Sequence, residues 1–145
     1  MSANSRLTVA VHILSWMALV ARQGEEWVTS DRIAVSVNTN PVVIRRALGQ
    51  MRNRKLVRSQ RGNGAGWSLA RPAASISLLE VYESVESGAV FGLHAGVPNQ
   101  ACPIGRGIQP TLRRVYGDVE QALRGELART SIEDVLGETL KRSST

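Results

Sequence analysis

The hydrophobic positions recur at three- and four-residue spacing over most of the chain, which predicts a largely helical protein. Two short stretches, residues 56–59 and 67–70, instead predict strands, and Trp27-Val28 predicts a further short one. The predicted helices cover residues 6–22, a short segment capped by Thr29 or Ser30, a segment that starts at Asn40-Pro41, residues 76–87, residues 110–128, and a last segment that follows a Thr130/Glu133 capping box.

The first predicted helix is apolar on nearly all of its faces. A helix of this kind must be covered on several sides, so we expect it in the core, with His12 as a packed core histidine. The stretch superficially resembles a secretory signal peptide, but it is too short to span a bilayer, and His12 and Ser15 interrupt it. We therefore expect no membrane association and a cytoplasmic protein.

The order of the elements predicts the fold class. Two short helices joined by the turn Asn38–Pro41 form a helix-turn-helix, and the two strands behind them form a hairpin wing. The predicted fold is mainly α with a small β-hairpin wing: a winged helix-turn-helix plus a long C-terminal dimerisation helix. Residues 1–72 would form the DNA-binding domain, 73–107 a connecting helix and sensor loop, and 108–145 the dimerisation helix and a C-terminal helix.

Charge is distributed unevenly along the chain. Residues 1–72 hold 11 basic and 3 acidic residues, whereas residues 73–145 hold 7 basic and 9 acidic residues. The block from Asn40 to Arg61 contains seven basic residues and no acidic one. A helix with basic and amide side chains on its outer face suits the major groove of DNA. A solvated basic helix is the alternative, but the preceding turn and the wing favour DNA binding.

The glycine-rich tip between the strands, Gln60–Gly66, does not indicate a nucleotide-binding loop, because no helix follows it. An arginine at such a tip can enter the narrow minor groove of DNA, so Arg61 is the predicted wing contact. The alternative is a flexible turn that carries one incidental arginine.

The long helix from Pro110 carries an apolar stripe that includes Leu112, Val115 and Val119. This stripe and the apolar first helix together exceed what one small winged helix can bury. A two-fold dimer that places two reading helices on a palindromic site would cover the stripe. Packing of the helix on its own chain is the alternative.

The single cysteine, Cys102, excludes an intrachain disulfide. It lies just before the predicted long helix and four residues from Arg106, and both features favour a reactive thiolate. The alternative is a small buried hydrophobe. Cys102 and His94 are too few ligands for a structural metal centre, and we find no catalytic set, so the sequence predicts no metal and no enzyme.

Several short motifs stand in order along the chain. They are Ile33-Ala34, Leu56-Val57-Arg58-Ser59, Arg61-Gly62, Gly66-Trp67 with Leu69, Ile76-Ser77-Leu78 with Val81, and the Cys102 loop. In this order they resemble the Rrf2 superfamily of bacterial winged-helix regulators, which includes the IscR, NsrR and CymR types. The resemblance extends from about Leu7 to Leu136 and implies a homodimeric transcription regulator.

The resemblance also implies where DNA is bound. The base-facing positions of the superfamily fall on Asn40, Val42, Arg45 and Arg46, and the minor-groove arginine falls on Arg61. Arg45 stands where an acidic residue helps to set specificity in iron–sulfur members, which implies a different operator. The complete predicted DNA-binding set is Ser30, Thr39, Asn40, Val42, Arg45, Arg46, Gln50, Arg61, Gly62 and Asn63.

The chain departs from the family pattern at three places. Lys55 and Ala65 replace glycines that are usual beside the wing, without affecting the expected fold. Iron–sulfur members carry three cysteines in the sensor loop, whereas this chain keeps only Cys102, which matches the last of them. The histidine of some cluster-binding members falls at about Gly105. The sequence therefore predicts no iron–sulfur cluster and no other cofactor.

These observations predict a homodimeric, sequence-specific DNA-binding regulator, a repressor at a palindromic operator. Control could come from oxidants or electrophiles acting on Cys102, from a small ligand, or from a partner protein. The alternative is a winged-helix protein-interaction module that is controlled by a partner or a ligand without cysteine sensing. Salt dependence of duplex binding distinguishes the two, because phosphate contacts make affinity fall steeply with salt.

Overall fold

The computed structural model describes residues 3–145, with side chains from Ser5 onward. It confirms the predicted fold class of a mainly helical chain with one two-stranded antiparallel hairpin. The helices are α1 (Ala3–Arg22), α2 (Ser30–Val37), α3 (Pro41–Asn53), α4 (Leu78–Val85), α5 (Pro103–Ala128) and α6 (Ile132–Ser143); the strands are β1 (Val57–Gln60) and β2 (Gly66–Leu69), and a 3-10 turn covers Ala73–Ser75.

Helix α1 forms the centre of the core, as its apolar faces predicted. It packs against α2, α3, α4, α6 and β2, and Ile13 and Leu14 are fully buried. The expectation for His12 was wrong: its side chain is exposed, and its Nε2 lies 3.0 Å from the Ser36 hydroxyl of α2. His12 and Thr8, one helical turn apart, are both exposed, so this side of α1 faces solvent rather than the core. Within residues 3–145, no helix is both long enough and apolar enough to cross a bilayer.

The helix-turn-helix is shaped by local capping. The Thr29 hydroxyl accepts a hydrogen bond from the Arg32 backbone N–H and starts α2. Asn38 ends α2 in the left-handed conformation (φ 60°), which asparagine tolerates better than most residues. The Asn40 side chain then accepts from the Val42 N–H at 2.8 Å, and Pro41 occupies the first position of α3. The predicted turn and helix start are therefore confirmed.

The wing pairs Val57 with Leu69 and Gln60 with Gly66 in antiparallel register. The strand predicted at Trp27-Val28 is a single bridge from Val28 to Trp67, which anchors the wing to the chain before α2. Both strands are displaced by one residue from their predicted bounds: β1 covers Val57–Gln60 rather than 56–59, and β2 covers Gly66–Leu69 rather than 67–70. The Ala70 N–H still donates to the Leu56 carbonyl just beyond the ladder, so the predicted end residues remain joined.

Four predicted helices have different bounds in the structure. Helix α1 starts at Ala3 rather than at residue 6. Helix α4 starts after a Ser77/Glu80 capping box and is shorter than residues 76–87. Helix α5 starts at Pro103 and continues through Pro110, although proline lacks the N–H that would donate to the Arg106 carbonyl and its ring crowds that carbonyl. Helix α6 is capped by Ser131 with Asp134 rather than by Thr130 with Glu133. The Thr130 carbonyl accepts from the Leu78 N–H at 2.8 Å, which holds Thr130 outside the helix.

The contacts group the chain into two compact units, whereas the sequence predicted three consecutive segments. One unit combines the chain up to Glu86 with Leu127–Thr145, and the other is Ser87–Glu126. In the first unit, Ile132 and Leu136 of α6 are buried, and α6 packs against α1. The C-terminal helix therefore belongs to the core of the winged helix.

Candidate nucleic-acid interface

Helix α3 has one buried face and one exposed face. Ile44, Ala47, Leu48 and Met51 are buried in the core. The opposite face presents Val42, which is 52% exposed, together with exposed Arg45 and Arg46. An exposed β-branched apolar residue beside two arginines suits a surface that meets both thymine methyls and phosphates.

Several arginines near this face are engaged in contacts within the chain. The Arg52 guanidinium donates to the Ser59 hydroxyl at 3.0 Å and lies 5.2 Å from the centre of the Trp67 ring. Arg58 pairs with Glu26 and lies 4.9 Å from the Trp27 ring. These two arginines tie the wing to α3 and to the segment before α2. In the folded chain each of these two guanidinium groups therefore has a polar and an aromatic partner.

Arg54 is also engaged within the chain. Its guanidinium lies 4.0 Å from the Glu83 carboxylate and donates to the Glu83 carbonyl at 3.4 Å. Glu83 belongs to α4, so this contact joins the C-terminal end of α3 to the helix behind it. The basic block thus contains three arginines with intramolecular partners.

Arg45, Arg46 and Arg61 differ from these three. Between Ser5 and Thr145, none of them has a hydrogen bond, an ion pair or an aromatic contact, and all three are exposed. Their guanidinium groups are available to a ligand. An arginine without an internal partner can neutralise a phosphate group without first breaking an ion pair. The structure therefore separates the basic block into arginines that have intramolecular partners and arginines that have none among the described residues.

The wing tip brings Arg61, Gly62 and Asn63 together at an exposed turn. Gly62 and Gly64 have φ values of 85° and 76°, a region that favours glycine, and the Ala65 N–H donates to the Gly62 carbonyl. These glycines serve a tight hairpin, which agrees with the expectation that the tip is not a nucleotide-binding loop.

The other predicted contact residues occupy different surroundings. Asn40 is exposed, but its side-chain oxygen caps α3, so its amide N–H₂ is the group left for a ligand. Ser30 is the first residue of α2, and Thr39 lies half-buried in the turn. Gln50 is half-buried in a groove that Arg46 and Arg6 also line.

Two residues of this region have roles that sequence reasoning did not assign. Lys55 adopts a φ of 60°, which explains why glycine is usual there in the resembling family. Gly49 is half-buried on the side of α3 that carries Val42, Arg45 and Arg46, and a Cβ built on it meets nothing within 4 Å. No intramolecular contact requires a glycine at that position. Its helical spacing from Val42, Arg45 and Arg46 was the signal that could have identified it.

Cys102 is half-buried and immediately precedes α5. Hydrogen bonds from the backbone N–H groups of Gly105 and Ile104 lower the pKa of its thiol below the ordinary value. The Arg106 guanidinium donates instead to the Gln100 carbonyl at 3.0 Å. The helix start therefore favours the thiolate, as expected, whereas the arginine is engaged elsewhere.

The loop that precedes α5 does not fit an iron–sulfur cluster. Cys102 is the only cysteine of the chain, and the described residues contain no group of three metal-ligating side chains. At Gly105, where the family resemblance placed a histidine, a Cβ would lie 1.9 Å from the Asn99 carbonyl oxygen. Any side chain at this position would collide with the loop backbone.

The helix-turn-helix, the wing and the outward-facing arginines define a transcription regulator of the winged-helix class. Residues 3–138 match the Rrf2 family, described as iron-dependent transcriptional regulators. The chain belongs to the Rrf2 family, which confirms the resemblance and shows that the protein is a regulator rather than an enzyme.

Three comparisons support this assignment. YwnA of Bacillus subtilis, assigned as an HTH-type transcriptional regulator, is 42% identical over 92% of this chain and 96% of its own length. A solved structure of a protein assigned as DNA-binding is 38% identical, with a TM-score of 0.72 over 91% of this chain and 99% of that chain. The oxidised form of Staphylococcus aureus CymR has a TM-score of 0.67 at 20% identity, over 94% of this chain and 96% of its own, and shows the shared fold.

Proposed function

We propose that this protein is a homodimeric, sequence-specific DNA-binding repressor that occupies a palindromic operator. The observation that carries the proposal is the division of the basic block. Arg52, Arg54 and Arg58 have partners within the chain, whereas Arg45 and Arg46 face outward from α3 without any among the described residues. Membership in a family of transcription regulators supports duplex DNA as the partner.

In this proposal α3 lies in the major groove. Arg45 and Arg46 reach guanine edges or phosphates, Val42 contacts a thymine methyl, and the Asn40 amide donates to a base or a phosphate. Arg61 enters the adjacent minor groove, where the negative potential is strongest in narrow A·T-rich segments. The remaining members of the interface are Ser30, Thr39, Gln50, Gly62 and Asn63.

Helix α5 supports the homodimer. None of its side chains is buried by the described residues, and its stripe leaves Ile104 70% and Val119 40% exposed. A second copy of the same stripe would cover these side chains by an isologous contact. Val119→Glu should dissociate the dimer in sedimentation velocity, whereas Gln121→Glu, which adds the same charge off the stripe, should not. A dimer that survives Val119→Glu would contradict this interface.

We further propose that Cys102 senses oxidants or electrophiles without an iron–sulfur cluster. Its thiolate can attack a peroxide oxygen, which yields a sulfenic acid and releases hydroxide, or can form a bond to an electrophilic carbon. Support comes from the half-exposed sulfur and from the two backbone N–H groups at the start of α5. If Cys102→Ser still releases DNA when an oxidant is added, the sensing proposal is wrong.

The central experiment is fluorescence anisotropy on the duplex upstream of the protein's own gene, near physiological salt and with excess competitor DNA. Arg45→Ala should weaken binding to the specific duplex about tenfold or more and change base preference. Arg114→Ala removes the same charge at an exposed site on α5 and serves as the matched control.

Each result of this experiment has a definite meaning. Specific binding that falls steeply with salt supports the repressor proposal. Equal losses on specific and random duplexes for Arg45→Ala would contradict the base-reading role of Arg45. If no duplex from the upstream region binds more tightly than competitor DNA, the proposed operator site is wrong. A weak salt dependence would instead favour a protein-interaction module.

A further inference from the structure

The unit Ser87–Glu126 contains a pocket of about 540 Å³ between α5 and the segment Gly88–Leu93. Its apolar lining includes Val90, Phe91, Leu93 and Tyr116. The rings of Phe91 and Tyr116 are tilted by 43°, with their centroids 5.2 Å apart, which is a favourable aromatic contact. A volume of this size is in the range of small-molecule sites.

The pocket also contains one cation without an internal partner. Arg113 lines it and has no hydrogen bond or ion pair with any residue that the structure describes. Glu120, the acidic residue of the lining, is paired with Arg124 at 3.3 Å. The lining therefore combines aromatic and aliphatic surface with an uncompensated positive charge. This combination matches a ligand that carries an apolar ring and one negative charge.

The pocket and the apolar stripe lie on different faces of α5. Arg113, Tyr116, Gly117 and Glu120 follow helical spacing along the pocket side. At 100° per residue, that side is roughly 120° around the helix from the stripe that contains Val119. Covering the stripe with a second copy would therefore not require filling the pocket.

Three glycines of the lining keep space open for a ligand. A Cβ built on Gly88, Gly92 or Gly117 would meet no heavy atom within 4 Å. The space beside these three glycines is therefore empty. The exposed ring of Phe91 remains 51% accessible, which is unusual for an aromatic side chain that has no polar group.

We propose that this pocket binds a small aromatic carboxylate, with the ring against Phe91 and Tyr116 and the carboxylate on Arg113. Control of operator binding by this ligand rests on the proposed function, whereas binding itself does not. The ligand assignment and the repressor assignment can therefore fail separately.

The test is isothermal titration calorimetry of the full chain with phenylacetate and with phenylacetamide, its uncharged analogue of nearly equal shape. We expect one site per chain for phenylacetate, with a Kd on the order of 1 mM for a probe of this size. The amide should bind about tenfold more weakly, because it cannot form a charge-assisted contact with Arg113. Arg113→Gln should abolish this difference.

Arg114→Gln is the matched control, since it removes an adjacent guanidinium that pairs with Asp118 instead of lining the pocket. Phe91→Ala should weaken both probes, with circular dichroism to confirm an intact helical fold. Equal binding of acid and amide to the unmodified chain, retained preference in Arg113→Gln, or no binding of either probe at about 10 mM would overturn the proposal. If Phe91→Ala shifts the oligomeric state in sedimentation without changing phenylacetate binding, the pocket is a contact between copies and the ligand assignment falls.

Discussion

Gly49 should affect stability and DNA affinity in opposite directions. It lies in the interior of the 13-residue helix α3, where a Cβ meets nothing within 4 Å. Glycine in an exposed helix interior costs about 1 kcal/mol relative to alanine. Gly49→Ala should therefore raise the free energy of unfolding by about 1 kcal/mol and the Tm by roughly 3 °C.

The same methyl group should interfere with DNA binding. Gly49 lies at helical spacing from Val42, Arg45 and Arg46, on the face proposed to enter the major groove. An extra methyl in a close-fitting contact typically costs about 1–3 kcal/mol, which corresponds to a roughly 5- to 150-fold increase in Kd. Differential scanning fluorimetry measures the first effect, and fluorescence anisotropy on the operator duplex measures the second.

Gly137→Ala is the matched control for this prediction. Gly137 lies in α6, also with nothing within 4 Å of a built Cβ, so the variant should be stabilised similarly with an unchanged Kd. A Gly49→Ala variant that gains stability and keeps its operator affinity would refute close approach of α3 at this residue. A Gly49→Ala variant that is less stable would show that a contact within the chain does require glycine at this position.

Three further predictions concern the wing, the sensor loop and α4. Gly66→Ala would place a Cβ 2.6 Å from the Val28 carbonyl oxygen, so urea denaturation should show a free energy of unfolding lower by about 1–3 kcal/mol. An unchanged denaturation midpoint would show that the contact between Val28 and the wing is dispensable. Because the pKa of Cys102 is lowered, the pH at which its alkylation by iodoacetamide reaches half-maximal rate should lie below the ordinary thiol pKa of 9.0. A midpoint at or above that pH would contradict thiolate stabilisation at the start of α5. Burial opposes ionisation of Glu80, but hydrogen bonds from Ser77 and Arg71 outweigh it and lower its pKa below 4.5. The contribution of ionised Glu80 to the free energy of unfolding is present above that pH and is lost as the pH falls below it. Glu80→Gln should therefore flatten the decline in the free energy of unfolding between about pH 5 and pH 3. An equally steep decline in the variant would argue against this assignment.

Much of the winged helix follows from local sequence chemistry. Asn40 and Pro41 start α3 because a side-chain acceptor and a preset φ satisfy the first turn without help from the rest of the chain. The glycines of the wing tip supply the positive φ that the hairpin requires. The apolar spacing of α3 likewise predicted which of its side chains are buried. These features depend on neighbours within a few residues.

Other features depend on partners that are distant in sequence. Arg52 and Arg58 were indistinguishable from Arg45 in the basic block until the fold placed Trp67 and Trp27 beneath their guanidinium groups. The cap of α6 moved to Ser131 because the carbonyl before it accepts a hydrogen bond from Leu78. Such contacts join segments tens of residues apart, and periodicity within one segment carries no information about them.

The sequence by itself determined the helix-turn-helix, the wing and the surplus of positive charge, because capping, turn conformation and charge are local properties. Only the tertiary structure decided which of the arginines have intramolecular partners. It alone also decided that Gly105 leaves no room for a side chain, and that one face of α5 borders a pocket while another carries an exposed apolar stripe. The physical reason is that a charge or a surface is available to a ligand only if no internal contact uses it. Those internal contacts exist only in the folded chain.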